Sequence, residues 1–472
     1  MIRNFSVQRL IAPALLLASF GCGGCGDSAT AGPDDPPNPP PGAGTIHVNA
    51  TQQFQVMTGW QAVAEAGEIE CQGYGTYQEE LFRRAANELG INRLRLELRA
   101  GAENSRDFFG ELARGEIPRS TFIGNWYRAV NDNSDPNTID PDGFHFSELD
   151  ARIDRVVLPL RRELQARGEQ LFVLLTYLDH GPSAWEHSNA PEEYAELILA
   201  AFQHMQGKYG FVPDAVEVVN EPDKSDATFT AAQIGPAVAA AGQRLRVAGF
   251  NPPFVAPSTI SMSRTLQYFE PMSQMPAAMQ FVAELSYHRY GASSVEDLEA
   301  IAARARQHGI RTAMLEHINS GPDELYDDLT IAQVSSWNQF ALAFCSEDGS
   351  GSGGTYIWID ENDPSKLYLT DKARHLAQYF RNVRMGARRI GANSSNSELK
   401  PVAFVNTNGG QALIVNASSE ESFTVSGLAA GTYGITYSTG SGDGTHPDVT
   451  LTTGQQLSTS IPAEGVIAIF RR

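Results

Sequence analysis

Short apolar runs alternate with longer segments of helical period along most of this chain, and this alternation constrains the fold more than any other feature. Strands that alternate with helices within one domain form a parallel sheet, and eight such units close into a (β/α)8 barrel. We therefore predict a TIM barrel over residues 45–390, in the α/β class. The strands are predicted at 56–60, 93–98, 171–177, 215–220, 254–257, 281–288, 311–316 and 355–359, and the main helices at 77–89, 147–167, 191–209, 230–249, 295–308 and 331–344.

The last part of the chain has a different character. Valine and threonine alternate there, glycine-rich turns such as Asn408-Gly409-Gly410 recur, and no helical stripe is present. This pattern is typical of a small antiparallel β-sandwich. We predict such a domain over residues 391–472, joined by a strand at 45–50, and favour structural support over independent sugar binding as its role.

The N-terminal segment predicts export. Arg3 and Arg9 precede an apolar run over 10–20, and small residues follow it, so residues 1–25 are interpreted as a signal peptide. The stretch ending at Cys22 resembles a bacterial lipoprotein signal, which implies lipidation of Cys22; an ordinary cleaved signal is the alternative. The proline-rich residues 26–44 predict an extended linker. We expect a cell-surface or outer-membrane lipoprotein, or otherwise a secreted protein.

Composition limits the partners. The 472 residues carry 35 Lys and Arg against 55 Asp and Glu, a net charge of −20, which disfavours nucleic acid as a partner. A hydrophobic fraction of 42% is enough for a large core and excludes disorder throughout. We expect a monomer that meets the membrane only through a lipid anchor, needs no cofactor and binds no metal. Cys71 and Cys345 are interpreted as packing residues, and the sequence leaves open whether they are paired.

Two glutamates stand where a barrel would place its active site. Glu221 follows the fourth predicted strand and Glu316 ends the seventh, 95 residues further on. That distance is three βα units, so both side chains can face one cavity at the barrel mouth. Paired carboxylates suit the cleavage of a glycosidic bond, because one group must protonate the leaving oxygen while the other attacks the anomeric carbon.

At this point the chain resembles the clan A glycoside hydrolases, most closely family 30, with families 39 and 79 as relatives. The resemblance covers most of the body. It is carried by Arg95 in the second strand, Asn220-Glu221-Pro222 after the fourth, His288-Arg289-Tyr290 in the sixth, Trp358 in the predicted eighth, and Trp185 in a Pro-Trp segment after the third.

The resemblance implies a retaining hydrolase that cleaves β-linked oligo- or polysaccharides by double displacement. Glu316 would be the nucleophile, kept ionised by Arg95 and Tyr290, and Glu221 the acid/base with a raised pKa. Asn220 would hold a sugar hydroxyl, and Trp358 would lie under a sugar face. His288, Trp185 and His180 are further predicted substrate contacts, His180 from its position alone.

Other interpretations stay open at this stage. Arg93, Glu97, Glu217 and Glu284 are expected to form a structural charge network inside the barrel. The long connection over 99–146 could be a substrate lid or a decorating subdomain. A non-catalytic carbohydrate-binding lipoprotein and a transglycosidase are the alternative functions, and the sequence does not name the sugar or the linkage.

Overall fold

The computed structural model describes residues 44–181, 185–291, 293–346 and 354–472. The predicted signal with Cys22, and all of the predicted linker except Gly44, lie outside these ranges. The first described strand, β1 (Gly44–Val56), belongs to the C-terminal module, and the barrel begins immediately after it.

The body of the protein is a closed parallel barrel of eight strands, as the alternation of strand and helix predicts. Its last strand pairs with both its first and its seventh, and this closes the sheet. The strands are β2 (Gly59–Ala66), β3 (Arg93–Arg99), β4 (Phe172–Leu178), β5 (Ala215–Glu217), β6 (Phe254–Ser261), β7 (Val282–Tyr290), β8 (Arg311–Glu316) and β9 (Val334–Ser346).

The predicted eighth unit is wrong. Most of residues 331–344, predicted as a helix, belong to β9, which closes the barrel. The run predicted as the last strand forms β10 (Thr355–Asp360), which pairs outside the closed ring with the second half of β9, and β11 (Leu367–Leu369) follows it. A strand buried on both faces shows no alternation, so this run could not be distinguished from a buried helix by pattern.

Helices surround the barrel. Local sequence explains several of their ends: Pro191 occupies the first turn of its helix, and Thr230 with Gln233 forms a capping box. The helices are α1 (Tyr74–Arg84), α2 (Phe108–Ala113), α3 (Arg119–Ile123), α4 (Ser147–Arg152), α5 (Leu158–Ala166), α6 (Pro191–Tyr209), α7 (Ala231–Val247), α8 (Thr265–Ser273), α9 (Pro276–Met279), α10 (Val295–His308), α11 (Pro322–Asp327) and α12 (Asp371–Phe380). Among the described residues, no helix has the length and apolar character needed to cross a membrane.

The C-terminal module is a nine-stranded, mainly antiparallel sheet around its own apolar core. Strand β1 lies inside this sheet, antiparallel to β12 (Arg388–Ser394) and parallel to β15 (Glu421–Ser426). The first described strand is therefore part of the C-terminal module. Because β12 begins at Arg388, the predicted boundary between residues 390 and 391 falls within this strand. The remaining strands are β12 (Arg388–Ser394), β13 (Leu399–Val405), β14 (Gln411–Ala417), β15 (Glu421–Ser426), β16 (Gly431–Thr439), β17 (Gly442–Leu451), β18 (Leu457–Ile461) and β19 (Gly465–Arg471).

The two modules share a continuous apolar contact. Phe404 and Ile414 of the sandwich belong to the same buried cluster as Phe380 at the end of α12. Beside them, Tyr379 Oη donates to Asn416 Oδ1 at 2.5 Å. A shared core of this kind holds the sandwich firmly against the barrel.

Cys71 and Cys345 form a disulfide, with their Cα atoms 5.8 Å apart. The expectation that both are packing residues is therefore wrong. Cys71 lies in the loop after β2 and Cys345 near the end of β9, and parallel pairing of these two strands brings the distant cysteines together.

Charged side chains fill the lower barrel, as the shared strand faces predict. Arg93 pairs with Glu284 at 2.9 Å, and Arg311 approaches the same carboxylate at 3.2 Å. Higher up, Arg95 forms a bidentate pair with Glu217 through bonds of 2.8 and 2.9 Å. These buried charges are compensated, and they form a rigid floor beneath the barrel mouth.

Candidate active site

Glu221 and Glu316 lie at the same end of the barrel, where the strands have their carboxyl ends. Glu316 is the last residue of β8, whereas β5 ends at Glu217, so Glu221 stands on the loop that follows. Its backbone adopts a left-handed conformation, with φ of 51°, and its N–H donates to the Ser258 carbonyl at 3.0 Å. A non-glycine residue rarely adopts this conformation, and such strain is concentrated at functional sites.

The two carboxylates are close neighbours. One oxygen of Glu221, one oxygen of Glu316 and a ring nitrogen of His288 all lie within 4.8 Å of one another. Each glutamate is 7% exposed, so neither is sealed inside the barrel. A pair this close at an open rim can act on the two sides of a single bond.

Glu316 is held from two sides. Arg95 Nη1 donates to its Oε2 at 2.6 Å, and Tyr290 Oη donates to its Oε1 at 3.0 Å. Tyr290 Oη in turn accepts the backbone N–H of Ile318 at 3.2 Å, which fixes the phenol for this donation. The predicted partners of Glu316 are therefore present, and together they fix the orientation of both its oxygens.

Arg95, on β3, links the end of β5 to the end of β8. Its guanidinium contacts Glu316, the buried Glu217 and Oδ1 of Asn220. Thr176 Oγ1 also donates to Glu217, at 2.7 Å, so the arginine rests on a carboxylate that is itself fixed. Arg95 therefore also fixes the side chain of Asn220, the predicted sugar contact, through its amide oxygen.

Glu221 has a different environment. Its Oε1 lies 3.1 Å from Nδ1 of His288, a ring that is completely buried. The other ring nitrogen of His288 has no hydrogen-bond partner in the described part of the chain. Lys224, three residues beyond Glu221, adds a positive charge that acts on the same carboxylate.

The electrostatics reverse the predicted order of the two pKa values. Burial raises the pKa of Glu316, because attraction by His288 and Arg95 offsets the lost hydration only in part and Glu221 repels. Burial also opposes a charge on Glu221, but the hydrogen bond and attraction of His288, with help from Arg95, hold its pKa below the usual value. Two carboxyl groups this close titrate together, so the pair shares a proton and each apparent pKa describes the pair rather than one glutamate.

The remaining predicted contacts differ in their surroundings. His180, 6% exposed, lies edge-on to Tyr127 with ring centroids 5.3 Å apart, and burial lowers its pKa. Trp185 packs edge-on against His187 at 4.6 Å, while residues 182–184 of its segment lie outside the described ranges.

Trp358 is not in the eighth barrel strand. It lies on β10, where its ring stacks on Tyr368 at 4.8 Å and its Nε1 donates to the Ser346 carbonyl at 2.9 Å. The predicted placement at the eighth strand was wrong because β10 was mistaken for that strand.

The sequence interpretation missed two contributors. Ile318 acts through its backbone N–H, which no side-chain motif reveals. Lys224 could have been noticed from its position three residues after Glu221, on the same rim loop.

Glu221, His288 and Glu316 are also the donor types that bind metals, and their donor atoms are close enough to share an ion. Arg95, 2.6 Å from Glu316, already supplies a positive charge there and opposes a second cation.

Comparison with known proteins gives one family match, in the C-terminal module. Residues 386–467 match the family model of the glycosyl hydrolase family 30 beta sandwich domain. No curated protein sequence matches the chain. The C-terminal module is therefore similar to the sandwich domain of glycosyl hydrolase family 30.

The whole chain is similar in fold to solved enzymes that include members of family 30. A family 30 endoxylanase from Clostridium papyrosolvens shares 16% identity and a TM-score of 0.63, over 91% of this chain and 100% of the other. The catalytic domain of family 30 xylanase C from Talaromyces cellulolyticus shares 15% identity, with a TM-score of 0.65 and coverages of 90% and 99%. An endo-β1,6-glucanase shares 17% identity, with a TM-score of 0.63 and coverages of 92% and 95%. At these identities the likeness shows the fold.

Proposed function

We propose that this protein is a retaining glycoside hydrolase that cleaves β-linked bonds in an oligo- or polysaccharide. One observation carries the proposal: the carboxylate oxygens of Glu221 and Glu316 approach within 4.8 Å at the open end of the barrel. Retaining enzymes keep these groups about 5–5.5 Å apart, while inverting enzymes leave about 6.5–9.5 Å for a water molecule. The short separation favours double displacement.

In the first step, the Glu316 carboxylate attacks the anomeric carbon and forms an ester. The glycosidic C–O bond breaks, and Glu221 gives its proton to the leaving oxygen. In the second step, Glu221 takes a proton from water, whose oxygen displaces Glu316 from the anomeric carbon. The carboxylate and the carboxylic acid are thereby restored.

Geometry supports this assignment of roles. Glu316 is held by Arg95 and Tyr290, which keep an attacking oxygen in a fixed direction. Glu221 has a hydrogen-bond contact with the side chain of His288, and it lies on a loop rather than a strand. Because the pair shares its proton, excluding water from Glu221 on sugar binding would raise the pKa of Glu221 and shift the proton from Glu316 to Glu221, beside the leaving oxygen.

Replacement of each glutamate tests the proposal. Glu316→Gln should abolish hydrolysis of polysaccharides and of activated aryl glycosides alike, because no ester can form. Glu221→Gln should keep much more activity on aryl glycosides, whose leaving groups need no proton. Glu299→Gln, an exposed change on α10, is the control. NMR of the first-formed sugar should show retained configuration; inversion, or unchanged activity in Glu316→Gln, would contradict the proposal.

Export is proposed on separate grounds. The disulfide between Cys71 and Cys345 suits an oxidising compartment, where such bonds persist. This supports the expectation of a cell-surface or secreted protein, and lipidation at Cys22 would provide its anchor. Mass spectrometry of the mature N-terminus after membrane fractionation tests the anchor, and a cleaved, unmodified N-terminus in the soluble fraction would exclude it.

A further inference from the structure

Two aromatic side chains differ from all others in their exposure. In the part of the chain that the structure describes, Phe344 is 40% exposed and Tyr368 is 42% exposed, while every other phenylalanine, tyrosine and tryptophan is buried or half-buried. Both lie on the edge of the sheet that is formed by the second half of β9, β10 and β11. Large apolar groups that lie together on a surface mark a site of interaction.

Trp358 lies between these two residues. It is the register partner of Phe344 on one side and of Tyr368 on the other, and register partners on neighbouring strands project from the same face of a sheet. Neighbouring strands are about 4.8 Å apart, so the three side chains form a row about 10 Å long. We call this row of Phe344, Trp358 and Tyr368 the aromatic strip.

The middle of the aromatic strip is held by contacts within the protein. The rings of Trp358 and Tyr368 stack with their centroids 4.8 Å apart, and Trp358 Nε1 donates to the Ser346 carbonyl at 2.9 Å. Side chains that are already fixed lose little conformational entropy when a ligand binds to them. The aromatic strip is therefore organised for binding before a ligand arrives.

The aromatic strip lies at the same end of the barrel as the proposed catalytic glutamates. Phe344 is near the carboxyl end of β9, and β10 runs parallel to it. Gly354, directly before β10, lies beside Ile318, since a Cβ atom added to the glycine would be 3.4 Å from that side chain. Ile318 donates its N–H to the Tyr290 hydroxyl that holds Glu316. Strand β10 therefore adjoins the loop that carries the proposed nucleophile.

The charges beside the aromatic strip disfavour anionic partners. The turn after β10 carries Asp360, Glu361 and Asp363, and the cation that follows, Lys366, is paired with Asp363 at 3.1 Å. Together with the net charge of −20, these carboxylates repel an anionic lipid surface and an acidic polysaccharide. A neutral sugar ring can instead place its C–H face against an aromatic ring and keep its hydroxyl groups in water.

We propose that the aromatic strip binds a neutral polysaccharide, beyond the sugar unit that the catalytic pair would hold. The inference rests on the proposed function for the identity of the ligand as a substrate, but the binding requires no bond to be broken. A row about 10 Å long exceeds a single sugar ring, so it favours a chain over a disaccharide. Trp358 would then contact sugar as predicted, but from outside the closed barrel.

Polysaccharide binding by an inactive full chain tests the proposal. Affinity electrophoresis of Glu316→Gln through gels with arabinoxylan, galactomannan, laminarin or β1,6-glucan should show retardation by at least one of them, and none by polygalacturonate. Adding Phe344→Ala or Tyr368→Ala should weaken this binding at least about fivefold. Phe344→Tyr and Tyr368→Phe keep the ring and should bind like the parent. Val247→Ala, an exposed apolar change on α7, is the control.

The outcomes separate the aromatic strip from the chemistry. If wild type hydrolyses a polysaccharide but both alanine variants bind like the parent, the strip is not a binding surface and the proposed function stands. If the alanine variants lose binding in a protein that hydrolyses nothing, the strip stands and the hydrolase proposal fails. Absence of retardation by all four neutral polysaccharides, or stronger retardation by polygalacturonate, would overturn the strip. A wild-type dimer that dissociates in Phe344→Ala, with sugar binding unchanged, would assign the surface to a second copy of the chain.

Discussion

Nδ1 of His288 lies 3.1 Å from Oε1 of Glu221, and this contact separates the two glutamates chemically. Glu316 has an arginine and a tyrosine, while Glu221 has a buried imidazole. Burial opposes charge on both, and the histidine decides which carboxyl is the stronger acid.

Replacing His288 should therefore move the pH profile of hydrolysis. His288→Gln removes the attraction that lowers the pKa of Glu221, so this pKa rises and the acid form persists to higher pH. The basic limb of kcat/KM should shift upwards. His204→Gln, which removes a ring bonded to Asp150 at 2.7 Å, is the control. A basic limb that stays in place or moves to lower pH would show that His288 does not set this pKa.

Tyr290→Phe should slow the chemical step. The variant removes one hydrogen bond to the charged nucleophile, worth about 1.5–3 kcal/mol, so kcat should fall about 10–150-fold with little loss of stability. It should also raise the pKa of Glu316 and move the acid limb upwards. Tyr209→Phe, which removes a tyrosine bond of 3.0 Å to Asp150, is the matched control. Equal kcat values in the two variants would contradict the role of Tyr290.

Arg95→Met should destabilise the fold as well as stop catalysis. It leaves Glu217 and Glu316 as buried carboxylates without their counter-charge, which costs about 3–5 kcal/mol in the free energy of unfolding. Adding Glu217→Gln should recover part of this loss. Arg83→Met, whose side chain is 45% exposed, should change stability by less than about 0.5 kcal/mol. Urea denaturation measures the free energy of unfolding of the single, double and control variants. A loss below about 1 kcal/mol in Arg95→Met would show that water compensates the charges of Glu217 and Glu316.

Removal of the disulfide should lower stability without changing the chemistry. The bond closes a sequence separation of 274 residues, and typical losses are about 2–5 kcal/mol. Guanidinium denaturation of the variant with Cys71→Ser and Cys345→Ser, compared with wild type, measures the loss. Peptide mapping without reductant should recover Cys71 and Cys345 in one linked peptide, and their recovery in separate peptides would disprove the bond.

The sequence located most of the barrel because local patterns repeat there. Six of the barrel strands follow predicted runs, while β2 overlaps the predicted run 56–60 only at Gly59 and Trp60, and Glu316 ends its strand as predicted. The eighth strand was missed because most of its residues are buried, so its sequence lacks the alternation that would distinguish a strand from a buried helix. The error carried over to Trp358, which the structure places on β10.

By itself, the sequence determined the fold class and the two glutamates, because chain spacing in a βα repeat fixes which strand ends meet. Only the tertiary structure decided the disulfide, the partner of Glu221 and the aromatic strip. These depend on side chains from distant segments reaching one another in three dimensions, and on burial that changes their ionisation. Neither distance nor hydration is encoded in a local pattern of residues.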